Sequence, residues 1–146
     1  MSAQEQLSYT QARDHFRDVL DSAKAGLMPR IGRERDHGRF VVLDGDLHRQ
    51  DLAATVEANA RVLAEGGGWA VVLPGVPVHG DGATFEEAVG DVLDALREYA
   101  ADWDDHLRLA SNHAQHRRLV QLVQLSDDAQ LREWLLAADD AMLAAW

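Results

Sequence analysis

Six arginines stand in the first forty residues of this chain, and the guanidinium group is well suited to holding phosphate. It can also present two donors to a guanine in the major groove of DNA. Because arginines on the surface of a helix or hairpin are ordinarily just solvated, the spacing leaves two interpretations open, a DNA-binding surface and a plain charged surface. The six positions are Arg13, Arg17, Arg30, Arg33, Arg35 and Arg39.

The charge of the chain is divided unevenly along its length. A formal net charge of -11 argues against general nucleic-acid binding, because phosphate contact depends on Lys and Arg displacing counterions. Residues 1–49, however, hold 8 basic and 8 acidic side chains, whereas residues 50–146 hold 6 basic and 17 acidic ones. This division suits a protein with a nucleic-acid end and an acidic end for a basic partner.

Three tryptophans in the acidic part are candidate anchors for a protein partner, namely Trp103, Trp134 and Trp146. Aromatic side chains supply desolvated contact area, and carboxylates steer a basic partner toward them. A self-contained helical core accounts for Trp103 and Trp134 at least as well. Trp146 follows Leu143-Ala-Ala and is harder to bury in a single chain, so it is the stronger candidate for partner contact.

The sequence contains no constellation that predicts catalysis. His113 and His116 could share a helical face near His106, but a metal site needs further ligands, and the adjacent Arg117 and Arg118 disfavour a bound cation. We therefore expect solvated histidines. The glycine clusters lack the strand, helix and lysine context of a phosphate loop. We expect no enzymatic activity, no metal and no cofactor.

The cellular setting is predicted from what the composition lacks. There is no cysteine, so neither a disulfide framework nor thiol chemistry is available. No apolar run approaches the length of a membrane span, and the first residues lack the basic and apolar parts of a signal peptide. We expect a cytoplasmic protein that does not associate with membranes.

The arginines are placed by a predicted helix and a predicted hairpin. Ser8 and Gln11 have the spacing of a capping box, and Gly26 ends the helix that follows. Strands are predicted near residues 29–35 and 39–43, with Gly38 supplying the positive φ of the turn. The apolar positions of the helix recur at helical spacing and predict one buried stripe, formed by Ala12, Phe16, Val19, Leu20 and Ala23.

The sequence after the predicted hairpin indicates a mainly helical region. A helix is expected from Leu47 to Ala64, stopped by the glycines at 66–68, and a strand from Trp69 to Leu73, followed by a turn that can include a short edge strand. Thr84 and Glu87 form a second capping box. It leads a helix with one apolar face, made by Ala88, Val92, Leu96, Tyr99 and Trp103.

No Gly or Pro follows Gly90, so the later helix boundaries are inferred from caps. One helix is predicted to begin near Asn112 and another near Ser126, the latter with an apolar stripe that extends to Met142. The chain is therefore predicted to be α+β. A small α/β module at residues 1–64 precedes an acidic, mainly helical region at residues 69–146 with one or two short strands.

The first third of the chain resembles the prevent-host-death (Phd/YefM) family of type II antitoxins. The resemblance lies in the run Leu7-Ser-Tyr-Thr-Gln-Ala-Arg13 and in an arginine-bearing hairpin that ends in Phe40-Val-Val-Leu43. It implies a small α/β unit that dimerises through its hairpins and helices, binds its own operator, and holds a toxin with the downstream part.

Two positions match the DNA-facing arginines of that family, Arg13 and Arg33. The turn from Glu34 to His37 is longer than is usual in the family, and a glycine stands at position 32, where threonine is common. The register of the hairpin therefore leaves Arg35 as the alternative to Arg33.

A shorter resemblance begins at Trp69-Ala-Val-Val-Leu-Pro-Gly-Val and continues through Gly80-Asp-Gly-Ala-Thr-Phe-Glu-Glu-Ala-Val. This strand, turn and capped helix are similar to part of the HicB-like antitoxin fold. The resemblance implies that the C-terminal part of the chain is folded.

Taken together, the resemblances imply a homodimeric antitoxin that represses its own operon. Residues 1–64 would bind operator DNA through the arginines, and residues 69–146 would inhibit a cognate toxin by occupying it, the toxin being a ribonuclease or another translation inhibitor. Two other classes are compatible with the composition. One is a transcription regulator with a ligand-sensing helical domain, and the other is an acidic adaptor that binds only protein.

Overall fold

Two three-stranded sheets and six α-helices make up the part of the chain that the computed structural model describes, residues 6–144 with side chains up to residue 137. The elements fall into two compact units, Met1–Gln50 and Asp51–Trp146. Each unit combines a sheet with helices, so the predicted α+β class is confirmed.

The first unit is built from two short helices and a mixed sheet of order β1-β2-β3. Its elements are β1 (Leu7–Ser8), α1 (Tyr9–Asp14), α2 (Phe16–Lys24), β2 (Arg30–Arg33) and β3 (Gly38–Val41), and α3 (Gly45–Thr55) runs on into the second unit. β1 is parallel to β2, and β3 is antiparallel to it. The hairpin predicted from the sequence is therefore confirmed.

The capping box that opens α1 forms as predicted. The Ser8 hydroxyl accepts from the Gln11 N–H at 3.1 Å, and the Gln11 side-chain oxygen accepts from the Ser8 N–H at 2.9 Å. The single helix predicted after it is wrong, because His15, with φ -122° and ψ 34°, separates α1 from α2. The Val19 N–H still donates to the His15 carbonyl at 3.1 Å, so the chain continues in the same helical sense.

The apolar stripe of these helices is only partly buried. Ala12, Val19 and Ala23 are buried as predicted, but Phe16 and Leu20 are 52% and 46% exposed, which contradicts the prediction that they pack against a core. Because small units bury a low fraction of their surface, two short helices and three short strands cannot cover the larger side chains.

The turn between β2 and β3 uses its glycine differently from the prediction. His37, not Gly38, adopts the positive φ, at 56°. A Cβ at Gly38 would lie 2.8 Å from both the Asp36 Oδ1 atom and the Phe40 ring. The glycine therefore lets the carboxylate and the ring lie close to the turn, and a side chain at this position would displace both of them.

The second unit packs helices on a sheet of order β4-β5-β6. Its elements are β4 (Arg61–Glu65), β5 (Gly68–Val72), β6 (His79–Gly82), α4 (Phe85–Asp105), α5 (Arg117–Leu125) and α6 (Asp128–Ala144), with short 3-10 helices at Leu107–Leu109 and Ala114–His116. A continuous apolar core fills this unit. Its most deeply buried large side chains include Leu52, Val71, Val92, Leu96, Leu122, Leu131 and Leu135.

The helix predicted to reach Ala64 is wrong beyond Thr55, because residues 61–65 form β4 and pair antiparallel with β5. Gly66 and Gly67, with φ of +57° and +82°, form the two-residue turn of this hairpin. This conformation suits hairpins, since its twist matches that of the flanking strands. The glycines therefore join two paired strands, and the unit has three strands where one or two were predicted.

Helix α4 is the central support of the sheet and follows the sequence pattern closely. The Thr84 hydroxyl accepts from the Glu87 N–H at 3.1 Å, as the capping box predicted. The predicted apolar face is buried from Ala88 to Tyr99, and Trp103 is half-buried. β6 approaches this helix so closely that a Cβ at Gly80 would collide with the backbone nitrogen of Val92 and the carbonyl oxygen of Ala88.

Helices α5 and α6 close the core; the start of α5 differs from the predicted one, whereas α6 starts where the caps near Ser126 predict it. α5 begins at Arg117 rather than near Asn112, because the 3-10 helix Ala114–His116 takes up the preceding turn. α6 begins behind Asp127, whose carboxylate accepts from the Gln130 N–H at 2.8 Å. The predicted stripe is buried at Leu131, Trp134 and Leu135, while Met142 lies outside the described side chains.

Arg97 of α4 forms hydrogen bonds with the segment that joins α5 to α6. Its guanidinium donates to the carbonyl oxygens of Val123 at 2.6 Å and Ser126 at 2.8 Å, and to Asp128 Oδ1 at 3.0 Å. Carbonyls at the C-terminal end of a helix have no partner within that helix. Arg97 satisfies one such group, at Val123, and also the Ser126 carbonyl just beyond the helix, so it stabilises the end of α5 and the start of α6 together.

Candidate nucleic-acid interface and acidic helix

The two helical arginines lie on the surface of the first unit. Arg13 is in the last turn of the six-residue α1, and its Nε atom donates to Asp14 Oδ1 at 3.2 Å. Arg13 therefore does not stand at a helix N-terminus, where the helix dipole would add positive charge. Arg17 is exposed near the start of α2.

Arg33 is held inside the β2–β3 hairpin by two groups. Its Nε and Nη2 atoms donate to the two carboxylate oxygens of Asp36, at 3.1 Å and 2.5 Å. The guanidinium carbon also lies 4.8 Å from the centre of the Phe40 ring, which is cation–π distance. The side chain of Arg33 is about half-exposed, yet its orientation is fixed by these contacts.

Asp36 is the organising residue of the turn. Its Oδ1 atom accepts from both Arg33 and the Gly38 N–H, the latter at 3.0 Å. The Arg33 hydrogen bond, assisted by the Gly38 N–H, lowers the pKa of Asp36 below its usual 3.8, and the same hydrogen bond raises the pKa of Arg33. The ion pair is therefore present at neutral pH and helps define the shape of the turn.

The register of the hairpin separates the four hairpin arginines. Arg30 pairs with Val41 and Gly32 with Arg39, which places Arg30 and Arg39 on one face of the sheet. Arg33 pairs with Gly38 and lies on the opposite face. Arg35 stands in the turn, exposed, with no hydrogen bond or ion pair to any described residue. The arginines therefore do not form one flat strip, and Arg35 is the guanidinium at the tip.

The first unit also exposes an unusual amount of apolar surface. Nine large apolar side chains of this unit are between 44% and 62% exposed. They come from both helices, from β3 and from the segments around them, and comprise Tyr9, Phe16, Leu20, Leu27, Met28, Phe40, Val41, Leu43 and Leu47. Exposed apolar surface of this extent is typical of an interaction surface.

Two of the three candidate tryptophans belong to the core of the second unit. Trp134 is only 8% exposed, and its indole N–H donates to the Val56 carbonyl at 2.6 Å. Trp103 is half-buried and donates to the His113 carbonyl at 3.0 Å. Their prediction as toxin anchors is therefore corrected, because their rings and donors are already used within the unit. Trp146 lies outside the described residues.

The exposed side of α4 carries a row of carboxylates. Asp94, Glu98 and Asp102 stand four residues apart and therefore lie along one side of the helix. All three are exposed, and within the described residues none has a hydrogen bond or ion pair from its carboxylate. These three residues are called the acidic stripe below. Their like charges repel one another. No basic residue in the last turn of α4 offsets them.

A tyrosine between two histidines is a feature that the sequence reading missed. The Tyr99 hydroxyl lies 2.9 Å from His113 Nδ1 and 2.6 Å from His116 Nδ1. A hydroxyl has one proton, so Tyr99 can donate to only one ring and must accept from the other. The expectation of solvated histidines is therefore wrong at these two positions. The sequence feature that could have indicated this contact is the position of Tyr99 on the apolar face of α4. Burial raises the pKa of the Tyr99 phenol.

Two further kinds of feature, a metal centre and a membrane-spanning helix, are absent from residues 6–144. No cluster of three or more His, Cys, Asp or Glu side chains is arranged to hold a metal ion there. Among the helices described, none combines the length and the apolar character that crossing a bilayer requires.

Comparison with solved structures finds the fold of most of this chain in another protein. A crystal structure from Syntrophomonas wolfei subsp. wolfei, of a protein assigned as the antitoxin part of a toxin/antitoxin system, superposes with a TM-score of 0.76. The match covers 90% of this chain and 96% of that chain, at 18% sequence identity. At this identity the likeness shows the fold alone.

The sequence itself places the chain in a family. A family model described as PHD-like, antitoxin of RelE/RelB toxin–antitoxin systems, matches residues 1–136. The chain therefore belongs to this family of antitoxins, and the match extends well beyond the first third. A comparison with curated proteins gives no significant match.

Proposed function

We propose that this antitoxin is a homodimeric, cytoplasmic autorepressor of the Phd/YefM type. It neutralises its toxin by direct binding and represses its own operon by binding operator DNA. The first unit carries the DNA-binding and dimerisation functions, and the acidic C-terminal region carries the toxin-binding function. Both functions consist of binding a partner, and neither involves catalysis.

The observation that carries the DNA-binding proposal is the arginine-bearing hairpin of the first unit. Arg35 is exposed at its tip and is unpaired among the described residues, while Asp36 fixes the neighbouring Arg33. A guanidinium with no internal partner loses little on binding phosphate or a guanine edge. Arg13, Arg17, Arg30 and Arg39 supply further positive charge on the same unit, whose acidic side chains only balance its basic ones.

The exposed apolar side chains of the first unit support dimerisation there. Phe16, Leu20 and Phe40 are about half-exposed in one copy of the chain, and a second copy would cover them. Most soluble homodimers have two-fold symmetry, which would present each arginine twice. A palindromic operator with two matching half-sites is the expected target.

The acidic stripe supports the toxin-binding proposal. Toxins that cleave RNA or block translation must approach a polyanion, so a basic surface on the toxin is expected. Asp94, Glu98 and Asp102 have no internal partner among the described residues, and they are available to such a surface. Trp146 remains a second candidate for toxin contact.

Three measurements on one preparation test this function. The chain is co-expressed with the neighbouring open reading frame and purified, its mass is measured by light scattering, and its affinity for the promoter of its own gene is measured at several salt concentrations. We expect a retained small basic protein, a mass of at least two copies of the chain, and a logarithmic affinity that falls linearly with the logarithm of the salt concentration. A strict monomer that ignores its promoter at low salt and retains no partner would overturn the proposal.

A further inference from the structure

Strand β4 is an open edge of the second sheet. In the order β4-β5-β6, β4 pairs with β5 on one side only, and no other backbone hydrogen bond of Arg61–Glu65 occurs within the described residues. The opposite edge is partly closed, because the Asp81 N–H of β6 donates to the Asp91 carboxylate of α4 at 2.9 Å. The sheet therefore offers one free edge, on β4.

The turn determines which backbone groups this edge presents. In a two-residue hairpin the residues that flank the turn, here Glu65 and Gly68, form a hydrogen-bonded pair, and such pairs alternate along the ladder. Arg61, Leu63 and Glu65 therefore direct their N–H and C=O groups toward β5. Val62 and Ala64 direct theirs outward, where the described chain provides no partner.

The side chains on β4 alternate between two faces. Val62 is paired with Val71, which is fully buried against α4, so Val62 and Ala64 face the helix. Arg61, Leu63 and Glu65 share the other face, and Leu63 is 48% exposed. An arginine and a glutamate therefore flank an exposed leucine at equal distances.

We propose that β4 pairs antiparallel with β4 of a second copy of the chain, with the two-fold axis at Leu63. This register places Val62 opposite Ala64 of the second copy, so their outward N–H and C=O groups form four hydrogen bonds. Arg61 falls opposite Glu65 twice, which gives two cross-strand ion pairs, and the two copies of Leu63 cover each other. The two sheets become one six-stranded sheet.

Self-complementary charge favours a second copy as the occupant of this edge. A shift of the axis by one residue, to Val62, would pair Arg61 with Leu63 and leave Glu65 without an opposite charge, and a parallel pairing in register would place like charges side by side. The interface is distinct from the apolar surface of the first unit and does not depend on operator or toxin binding. Used together, the two interfaces would join dimers into larger assemblies.

Disulfide trapping tests the proposed register, because the chain has no native cysteine. In a non-hydrogen-bonded antiparallel pair the two Cα atoms are about 4.5 Å apart, within the range of a disulfide. Full-length Leu63→Cys should form a disulfide-linked dimer under mild oxidation. The matched control is Ala70→Cys, on the same face of β5, whose copies would be three strand spacings apart, about 14 Å, and out of reach.

The control also separates this interface from dimerisation by the first unit, since that would raise the local concentration of both cysteines equally. Leu63→Cys that cross-links no faster than Ala70→Cys would overturn the proposal, and would show that Arg61 and Glu65 are ordinary charges of an edge strand. Circular dichroism of both reduced variants confirms that each is folded.

Charge reversal in the Leu63→Cys background tests the ion pairs. Arg61→Glu and Glu65→Arg each place like charges opposite one another twice, so each should slow cross-linking about fivefold or more. The double variant Arg61→Glu/Glu65→Arg restores opposite charges and should restore the rate. Glu133→Arg, at an exposed position of α6, should leave the rate unchanged. Equal rates in all four variants would contradict the proposed register.

Discussion

Arg33 and Asp36 bind each other at two points across the turn between β2 and β3, with distances of 3.1 Å and 2.5 Å. The pair fixes the turn that carries Arg35, which has no such partner among the described residues. Arg33 and Arg35, which the sequence leaves as alternatives for the same role, therefore have different environments. Arg33 shapes the hairpin, and Arg35 is the arginine available for the proposed contact with DNA.

Replacing Arg35 by alanine should weaken binding to the operator by about 1–3 kcal/mol if it reads a base, or reduce the salt slope by about one if it contacts a phosphate. The thermal stability of the chain should hardly change, because no described contact is lost. Affinity is measured by fluorescence anisotropy on the promoter fragment at two or more salt concentrations.

The comparison variants for this prediction are Arg33→Ala and Arg108→Ala. Arg33→Ala removes the partner of Asp36, so it should lower stability as well as affinity. Arg108 is an exposed arginine of the second unit and should have no effect on operator binding. If Arg35→Ala binds as the unaltered chain does and Arg33→Ala does not, the DNA contact belongs to Arg33.

The pKa of Asp36 predicts how the first unit responds to acid. Folding lowers this pKa below 3.8, so the carboxylate stabilises the folded state above about pH 4, and this contribution is lost as the pH falls through the folded-state pKa. Asp36→Asn should remove that part of the acid dependence. Thermal melts followed between about pH 2.5 and pH 7 compare the two chains. Parallel curves would show that the Arg33–Asp36 pair does not stabilise the fold.

The sequence predicted the local signals of the first unit well, because those signals act over a few residues. The Ser8–Gln11 capping box and the two hairpin strands depend on neighbours in the chain. Exposure of Phe16 and Leu20 could not be predicted in this way, since periodicity identifies an apolar face without showing whether the unit is large enough to cover it.

The misread strand β4 shows where sequence patterns fail. The apolar residues between Leu52 and Leu63 fit a helical period, yet Val62 and Ala64 also fit the alternation of a strand. Pairing with β5 decides between them, and this contact lies across a glycine turn that in the sequence alone resembles a boundary between two regions. The prediction of Trp103 and Trp134 as toxin anchors failed for a related reason. The Val56 carbonyl that binds Trp134 is 78 residues away in the sequence, so local patterns do not indicate the contact.

Alanine substitutions at Gly80 of β6 and Gly90 of α4 should have opposite effects on stability, because only Gly80 lies in the contact between the strand and the helix. Gly80→Ala should destabilise the chain by about 1–3 kcal/mol or more, since its Cβ meets backbone atoms of α4 that cannot move aside. Gly90→Ala, on the exposed side of the same helix, meets nothing within 4 Å and should stabilise the chain by about 0.5–1 kcal/mol. Urea denaturation measures both. A neutral Gly80→Ala would show that β6 is not packed this closely.

Neutralising part of the acidic stripe should separate toxin binding from stability. Asp94→Asn/Glu98→Gln removes a like-charge pair on α4, so the melting temperature should stay the same or rise slightly. Association with a basic toxin should slow by about tenfold at low salt, because rim charges act mainly on the encounter rate. Stopped-flow mixing measures that rate, and Asp18→Asn/Asp21→Asn, which removes two exposed carboxylates of the first unit, is the control for net charge. An equal loss in both variants would mean that the overall charge attracts the toxin, and that the stripe on α4 is not its contact.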